Sequence, residues 1–240
     1  MKKILFIGNS FTYFNNMPFI LQQLFAAAGT EVYTRMVAYG GYHLADYLDP
    51  DSSAGDEAMQ ALAASDWDAV VLQEQSHTPY TNRPAFIASV RTWAEKIRKT
   101  CPRALILLYQ TWSYKEGSGL LAETITDTDY TGFYEGLKAG YEEAAAEVGA
   151  AVIPVGTAFY RISREQPGIE LFAQDNYHPS PFGSLAAAMT FYKYIIKGSP
   201  GPGADVPDPV IPVISVSGLP AADDVSVKEA AVIARVISSV

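Results

Sequence analysis

The amino-acid sequence predicts an α/β fold, a doubly wound three-layer α/β/α sandwich built on a five-stranded parallel sheet. Two observations predict it. Short apolar runs rich in β-branched residues alternate with stretches whose apolar residues recur at helical spacing. Most of these runs are almost continuously apolar, which is typical of parallel strands that are buried on both faces. Ligands of such sheets bind beyond the carboxyl ends of the strands, so residues there are the first candidates for function.

The strand candidates follow one another with a helical stretch or a loop between them. Glu31–Val37 alternates apolar and polar residues, so it suits an edge strand. The predicted strands are Lys3–Ile7, Glu31–Val37, Ala69–Gln73, Ala104–Gln110 and Ala151–Val155. Parallel strands joined by helical crossovers on both faces predict a flavodoxin-like arrangement.

Capping residues indicate where the helices begin and end. Gly29, Gly149 and Gly198 each follow an apolar-periodic stretch, at a position where glycine commonly ends a helix. Ser180 and Pro181 suit the N-cap and the first position of the last stretch in this region. The predicted helices are Pro18–Ala28, Glu57–Ala64, Pro84–Lys99, Tyr130–Val148 and Pro181–Ile196.

The composition changes after Lys197, which predicts that residues 1–197 form one domain. Residues 198–222 are rich in proline and glycine and lack helical periodicity, as an extended tether does. Residues 223–240 hold a short helical pattern. We expect this last helix to dock on the body or on a neighbouring subunit, since the sequence sets no oligomeric state.

Charge and composition exclude several classes of partner. The chain of 240 residues has a net charge of −9, and its basic residues are scattered. Nucleic-acid binding normally needs clustered basic residues, and an acidic surface repels anionic membranes. Cys101 is the only cysteine, which excludes an internal disulfide. We expect no cofactor, no metal, no nucleic acid and no membrane partner.

The first residues imitate the opening of a secretion signal. Met1-Lys2-Lys3 precedes the apolar run Ile4–Ile7, but the run is too short and no small-residue cleavage site follows. We therefore expect a cytoplasmic protein; a secreted or periplasmic location would require that a leader had been removed.

Residues at opposite ends of the domain supply the three roles of serine-type acyl transfer. Ser10 follows the first strand and Gly8, which permits a tight turn. A serine there is usually only a helix N-cap, yet its backbone N–H also points where an oxyanion can sit. Asp175 precedes His178 by three residues, so one loop can carry both side chains towards one point. The other candidate bases are His43 and His77.

Two segments between these ends also follow strands. The glycines of Tyr39-Gly40-Gly41-Tyr42 allow close backbone approach, or form only a flexible turn. Gln73-Glu74-Gln75-Ser76 is either an ordinary polar loop or the source of an amide that donates to an oxyanion.

These segments together resemble the SGNH (GDSL-like) hydrolase superfamily over residues 1–197. Gly8-Asn9-Ser10 is similar to its first block, with Asn in place of Asp, and Asp175-Asn176-Tyr177-His178 is similar to its last block. The third block, Gly-x-Asn, corresponds to Gln73-Glu74-Gln75. The chain looks most like a poorly characterised subgroup with Gly-Asn-Ser-Phe-Thr and Leu-Gln-Glu-Gln-Ser strings.

The resemblance implies a metal-independent serine esterase that works through a covalent acyl-enzyme. It implies a catalytic triad of Ser10, Asp175 and His178. It also implies an oxyanion hole made by the N–H groups of Ser10 and Gly40 and by the Gln75 amide, with Gly41 and Gln73 as alternatives.

Aromatic residues near the site loops favour a carbohydrate ester, with an acetyl or other short acyl group, because aromatic faces with polar tips suit sugar rings. The predicted substrate-binding residues are Tyr39, Tyr42 and Trp112. The alternatives are a lysophospholipase- or thioesterase-like acyl hydrolase, which needs an apolar groove, and a non-catalytic glycan-binding protein. A metal-dependent hydrolase using Asp127, Asp129 or the stretch Asp46, Asp49 and Asp51 lacks histidine partners at useful spacing.

Overall fold

The structure, a computed structural model, describes residues 1–197, 210–214, 216 and 225–240. Five parallel strands form one sheet in the order β2-β1-β3-β4-β5, which confirms the predicted α/β fold and its flavodoxin-like arrangement. The strands are β1 Lys2–Gly8, β2 Val32–Ala38, β3 Ala69–Leu72, β4 Leu105–Tyr109 and β5 Ala151–Ile153. The alternating strand β2 lies at an edge, as its pattern predicts.

Helices cover both faces of this sheet. Within the described ranges they are α1 Ser10–Tyr13, α2 Met17–Ala27, α3 Ser53–Ala63, α4 Thr78–Thr81, α5 Arg83–Thr100, α6 Gly119–Thr124, α7 Tyr130–Val148, α8 Val155–Glu165, α9 Pro181–Lys197 and α10 Val227–Ile237, with a 3-10 turn at Phe14–Asn16. The sequence prediction missed α8, because it extended the fifth strand to Val155. That residue instead opens a helix whose apolar side chains, Val155, Ala158, Phe159 and Ile162, recur at helical spacing and are buried.

The sheet separates two apolar cores, and successive residues of β1 point into different ones. Phe6 packs with α2, α8 and α9 on one face, while Leu5 and Ile7 pack with α3, α5 and α7 on the other. A strand that is buried on both faces has no solvent side, which is why β1 is continuously apolar. Both faces of β1 are thereby packed up to the edge of the sheet where β1 and β3 end.

The last helix, α10, packs against α8 and α9. Lys193 of α9 is buried, and its ammonium donates to the carbonyls of Ile237 (3.3 Å), Ser238 (2.9 Å) and Val240 (3.3 Å). A cation at a helix C-terminus donates hydrogen bonds to the last carbonyls and interacts favourably with the helix dipole, so Lys193 stabilises the end of α10. The tether predicted over residues 198–222 lies outside the described residues, apart from 210–214 and 216.

In the described ranges, none of the helices combines the length and the apolar character needed to span a bilayer. No group of three His, Cys, Asp or Glu side chains suited to hold a metal ion occurs in the same ranges. The acidic residues considered above have structural partners instead: Asp129 caps α7 by accepting from the Gly132 N–H, and Asp127 accepts from the Tyr80 hydroxyl.

Candidate active site

The candidate site lies at the carboxyl edge of the parallel sheet. Ser10 lies two residues after the end of β1, the Gly40 loop follows β2, and Gln75 follows β3. The Asp175–His178 loop precedes α9, which packs against α2. All these segments therefore meet where ligands of doubly wound sheets bind.

Ser10, His178 and Asp175 form one continuous hydrogen-bonded chain. His178 Nε2 lies 2.9 Å from Ser10 Oγ, and His178 Nδ1 lies 2.7 Å from Asp175 Oδ2. Ser10 is buried, while the side chains of His178 and Asp175 are 18% and 48% exposed. The fold thus brings together the three predicted residues, with the carboxylate on the solvent side.

The position of Ser10 depends on a tight turn at the end of β1. Asn9 caps α1 by accepting from the Phe11 N–H at 3.2 Å, so Ser10 is the first residue of the helix. A Cβ on Gly8 would lie 2.6 Å from both Gln73 Oε1 and Thr12 Oγ1, so only glycine fits there. The serine is thereby held at the mouth of the site.

The spacing of Asp175 and His178 lets one carboxylate organise its own loop. Asp175 Oδ1 accepts from the backbone N–H groups of Tyr177 (3.0 Å) and His178 (2.9 Å), while Oδ2 meets the His178 ring. Partial burial alone would raise the pKa of Asp175, but hydrogen bonds from the His178 ring and from these two N–H groups hold it below its ordinary value. The carboxylate therefore stays ionised beside the imidazole.

A turn after α1 covers one face of the His178 imidazole. The Phe14 ring stacks on His178 with 4.0 Å between ring centroids and 3° between the planes. Asn15 adopts a left-handed conformation, with φ at 51°, and its Nδ2 donates to Pro179 O (3.0 Å) and Ser184 Oγ (2.8 Å). The sequence analysis missed this support. The sequence feature that could have indicated this turn is the pair Asn15-Asn16, because asparagine adopts positive φ more readily than most residues.

Gln73 binds the first block rather than the site. Its Nε2 donates to Asn9 Oδ1 (2.8 Å) and to Glu74 O (2.5 Å), and its Oε1 accepts from the Asn9 N–H and Thr12 Oγ1, both at 2.9 Å. The residue is fully buried. Both amide hydrogens are thus used, and Gln73 is corrected from an alternative oxyanion donor to a structural residue.

Gln75 and the Gly40 loop lie nearer the surface. Gln75 is half-buried; its Nε2 donates to Ser76 Oγ at 3.0 Å, and its Oε1 accepts from the His77 N–H at 3.2 Å. Asn9 Nδ2 donates to Tyr42 O at 2.9 Å, which ties the loop carrying Gly40 and Gly41 to the turn that carries the serine. One hydrogen of the Gln75 amide is left for another acceptor.

A second carboxylate–histidine pair fixes the Gly40 loop to the end of β3. The buried Glu74 accepts from His43 Nδ1 (3.0 Å), from the Leu44 N–H (3.3 Å) and from the Gln75 N–H (2.7 Å). The hydrogen bond to Glu74 raises the pKa of His43 against the effect of its partial burial. His77 bonds to the Tyr114 hydroxyl at 2.9 Å. Both histidines thus have partners other than Ser10, whereas His178 faces it.

The aromatic residues predicted to bind substrate separate into two groups. Trp112 is 0% exposed, because its ring is stacked between Phe11 (4.2 Å) and Phe159 (4.1 Å). It cannot contact a substrate and is corrected to a core residue. Tyr39 is exposed and Tyr42 is partly exposed, with their ring centroids 5.3 Å apart in the Gly40 loop.

Comparison with known proteins assigns the chain to a family. No protein-family model matches the chain, and no curated protein is matched by it. Among solved structures, a protein from Slackia heliotrinireducens assigned to the SGNH hydrolases is 33% identical, with a TM-score of 0.71 over 81% of this chain and 98% of that chain. The chain belongs to the SGNH hydrolase superfamily.

Two further structures share the fold of this SGNH hydrolase. A DUF4886 family protein from Bacteroides uniformis is 19% identical, with a TM-score of 0.72 over 99% of this chain and 93% of that chain. The lipase/acylhydrolase from Enterococcus faecalis is 16% identical, with a TM-score of 0.60 over 80% of this chain and 94% of that chain. Both extend the structural likeness across the whole hydrolase domain. The resemblance predicted from the first and last blocks is confirmed at the level of the superfamily.

Proposed function

We propose that this SGNH hydrolase is a serine esterase that removes an acetyl or other short acyl group from a carbohydrate through a covalent acyl-enzyme. The unbroken chain from Asp175 through His178 to Ser10 carries the proposal. A nucleophile in contact with a base that is itself oriented by a carboxylate is the arrangement that acyl transfer needs.

The reaction has two balanced halves. His178 Nε2 takes the Ser10 proton as Oγ attacks the carbonyl carbon, and the same proton passes to the alcohol oxygen as the C–O bond breaks. Water then loses a proton to Nε2 and attacks the acyl-enzyme, which releases the acid and restores Ser10. Asp175 keeps the Nδ1 proton in place and stabilises the imidazolium in both halves.

We propose that the oxyanion accepts hydrogen bonds from the backbone N–H groups of Ser10 and Gly40 and from the side-chain amide of Gln75. Ser10 contributes as the first residue of α1, whose N–H has no partner within the helix. Gly40 contributes from the loop that Asn9 ties to the same turn. Gln75 contributes the amide hydrogen that does not donate to Ser76.

The acyl group is proposed to be short. A Cβ added to Gly40 would lie 3.1 Å from the Tyr13 hydroxyl, so Tyr13 packs closely against the loop that is proposed to bind the oxyanion and leaves little room there for a long acyl chain. The exposed ring of Tyr39 and the partly exposed ring of Tyr42 belong to this loop and suit a hydroxylated substrate.

The deciding experiment is hydrolysis of p-nitrophenyl acetate, butyrate and octanoate by the wild type, Ser10→Ala and the exposed-serine control Ser53→Ala, with a chelator present. We expect turnover by the wild type and the control, loss in Ser10→Ala, and a preference for acetate. Equal, negligible rates in all three proteins would favour a glycan-binding protein. A preference for octanoate would favour a lysophospholipase- or thioesterase-like enzyme.

A further inference from the structure

A buried tyrosine joins the two turns that carry the proposed backbone oxyanion donors. The Tyr47 hydroxyl donates to the Gly8 carbonyl at 2.6 Å and accepts from the Tyr39 N–H at 2.9 Å. Gly8 precedes Ser10 by two residues, and Tyr39 directly precedes Gly40. Tyr47 is 1% exposed, so water does not compete for either hydrogen bond.

The Tyr47 hydroxyl stands where the next hydrogen bond of the sheet would otherwise form. β1 and β2 are paired up to Gly8 and Ala38, and the next N–H along the chain after β2 is that of Tyr39. In a parallel ladder this N–H would donate directly to the Gly8 carbonyl. Both groups bond instead to one oxygen between them, which keeps the ends of β1 and β2 apart.

The separation of these strand ends decides whether one oxyanion can bond to both backbone donors. Each N–H must lie about 2.7–3.1 Å from the position of the same oxygen. Ser10 and Gly40 each follow the end of their strand by two residues, so a ladder that closed at Gly8 would draw the Gly40 turn towards the Ser10 turn. A bridging hydroxyl fixes this distance before any substrate binds.

Tyr47 is itself held from several sides. The centroid of its ring lies 5.3 Å from that of Tyr42 and 6.4 Å from that of Tyr39. Helix α3 approaches its backbone so closely that a Cβ on Gly55 would lie 2.9 Å from the Tyr47 carbonyl oxygen. Burial raises the pKa of the Tyr47 phenol, so the hydroxyl keeps its proton at every pH at which a histidine base works.

We propose that Tyr47 is a positioning residue of the esterase, whose hydroxyl spaces the N–H groups of Ser10 and Gly40 so that both bond to the oxyanion. The inference rests on the proposed esterase function. Tyr47 acts through Gly8 and Tyr39 and does not touch the substrate. Its loss should therefore weaken binding of the transition state and leave binding of the substrate unchanged.

The test removes the hydroxyl and keeps the ring. Tyr47→Phe does so at the bridge, and Tyr134→Phe makes the same change at a buried tyrosine of α7 whose hydroxyl donates to Thr157 Oγ1 at 3.3 Å. With p-nitrophenyl acetate we expect kcat to fall about tenfold in Tyr47→Phe, less than for complete loss of a donor, with KM unchanged. Tyr134→Phe should keep the wild-type kcat.

An inhibitor that resembles the transition state supplies a second readout. Trifluoroacetone forms a hemiketal with a nucleophilic serine, and its oxygen then occupies the oxyanion hole. Its inhibition constant should rise in Tyr47→Phe by the factor by which kcat/KM falls. If the hydroxyl only supported the fold, Tyr47→Phe would have a lower melting temperature, but the folded protein would keep the wild-type kcat and inhibition constant. That result would overturn the inference.

The wild type separates the two proposals. If it neither cleaves the ester nor binds the ketone, the esterase function fails and the inference fails with it, whereas an active wild type with an unaffected Tyr47→Phe rejects the inference alone. If Tyr47→Phe does not fold, hydrogen exchange of the wild type decides. The Tyr39 N–H should be equally protected with and without the ketone, and protection gained only with the ketone would contradict a bridge formed in advance.

Discussion

The side chains of Asn9 and Gln73 bind each other across 64 residues of sequence. Gln73 Nε2 donates to Asn9 Oδ1 at 2.8 Å, and the Asn9 N–H donates to Gln73 Oε1 at 2.9 Å. The chain departs from the SGNH pattern at these two positions, with Asn for Asp in the first block and Gln for Gly in the third. The two departures are therefore the two halves of one interaction, and Gly8 leaves the room for it.

Asn9→Asp should destabilise the protein. The carboxylate would lose the hydrogen bond that Asn9 Nδ2 donates to Tyr42 O and would set a buried negative charge against that carbonyl. We expect a loss of about 1–3 kcal/mol in the free energy of unfolding, measured by urea denaturation, with a fall in esterase activity. Asn82→Asp, at the exposed N-cap of α5, is the matched control and should not lower the free energy of unfolding. Equal stability of the two variants would contradict this account.

Asp175→Asn and Asp175→Ala should separate the two tasks of this carboxylate. Asparagine can still accept from the Tyr177 and His178 N–H groups, but its amide faces His178 Nδ1 with a donor and so favours the wrong tautomer. We expect both variants to lose about 10²–10⁴-fold in kcat. Only Asp175→Ala should also lower the melting temperature, measured by calorimetry. A fully active Asp175→Asn would remove Asp175 from the proposed mechanism.

Substitutions of Gln75 should test whether its amide is the proposed third oxyanion donor. Gln75→Ala should lower kcat about 10²–10³-fold with little change in KM, because an oxyanion exists only in the transition state. Gln75→Asn, which supplies the same amide on a stem shorter by one methylene, should retain more activity than Gln75→Ala. Steady-state kinetics with p-nitrophenyl acetate measure both. If alanine is as active as wild type, the oxyanion is held by backbone N–H groups alone.

The His43–Glu74 pair should make stability depend on pH. The pKa of His43 is raised by its hydrogen bond to Glu74, so its protonated form stabilises the fold at low pH, and that contribution is lost as the pH rises through the raised pKa. Urea unfolding should therefore show that His43→Gln lowers the free energy of unfolding more at pH 5 than at pH 8.5. The difference should be below about 1 kcal/mol, because the ring is part-exposed.

His77→Gln supplies the opposite sign in the same measurement. Burial, and then the nearby His43 charge, lower the pKa of His77, so its protonation opposes folding at low pH. His77→Gln should consequently lower the free energy of unfolding less at pH 5 than at pH 8.5. Parallel trends for the two variants would contradict the assignment of His43 to Glu74.

The sequence allowed the sheet and the three central residues of the site to be predicted, because both depend on local patterns. Continuous apolar runs reflect burial on two faces, and the Asp175–His178 spacing acts within one loop. The prediction that Trp112 binds substrate was wrong. Its position after β4 does not determine the direction of its side chain, which is set by packing between Phe11 and Phe159. The Phe14–His178 stacking was missed for the same reason, since it joins residues that only the packing of α2 on α9 brings together.

The distance along the chain between Ser10 and His178, 168 residues, also sets when activity can begin. Proteins emerge from the ribosome N-terminal end first, so the proposed nucleophile leaves the ribosome long before the proposed base has been made. The hydrogen bond from Asn9 to Gln73 can form as soon as β3 has been made, but the imidazole arrives only with the loop before α9. On the proposed mechanism, a nascent chain therefore carries Ser10 without its base until nearly the whole domain has been translated.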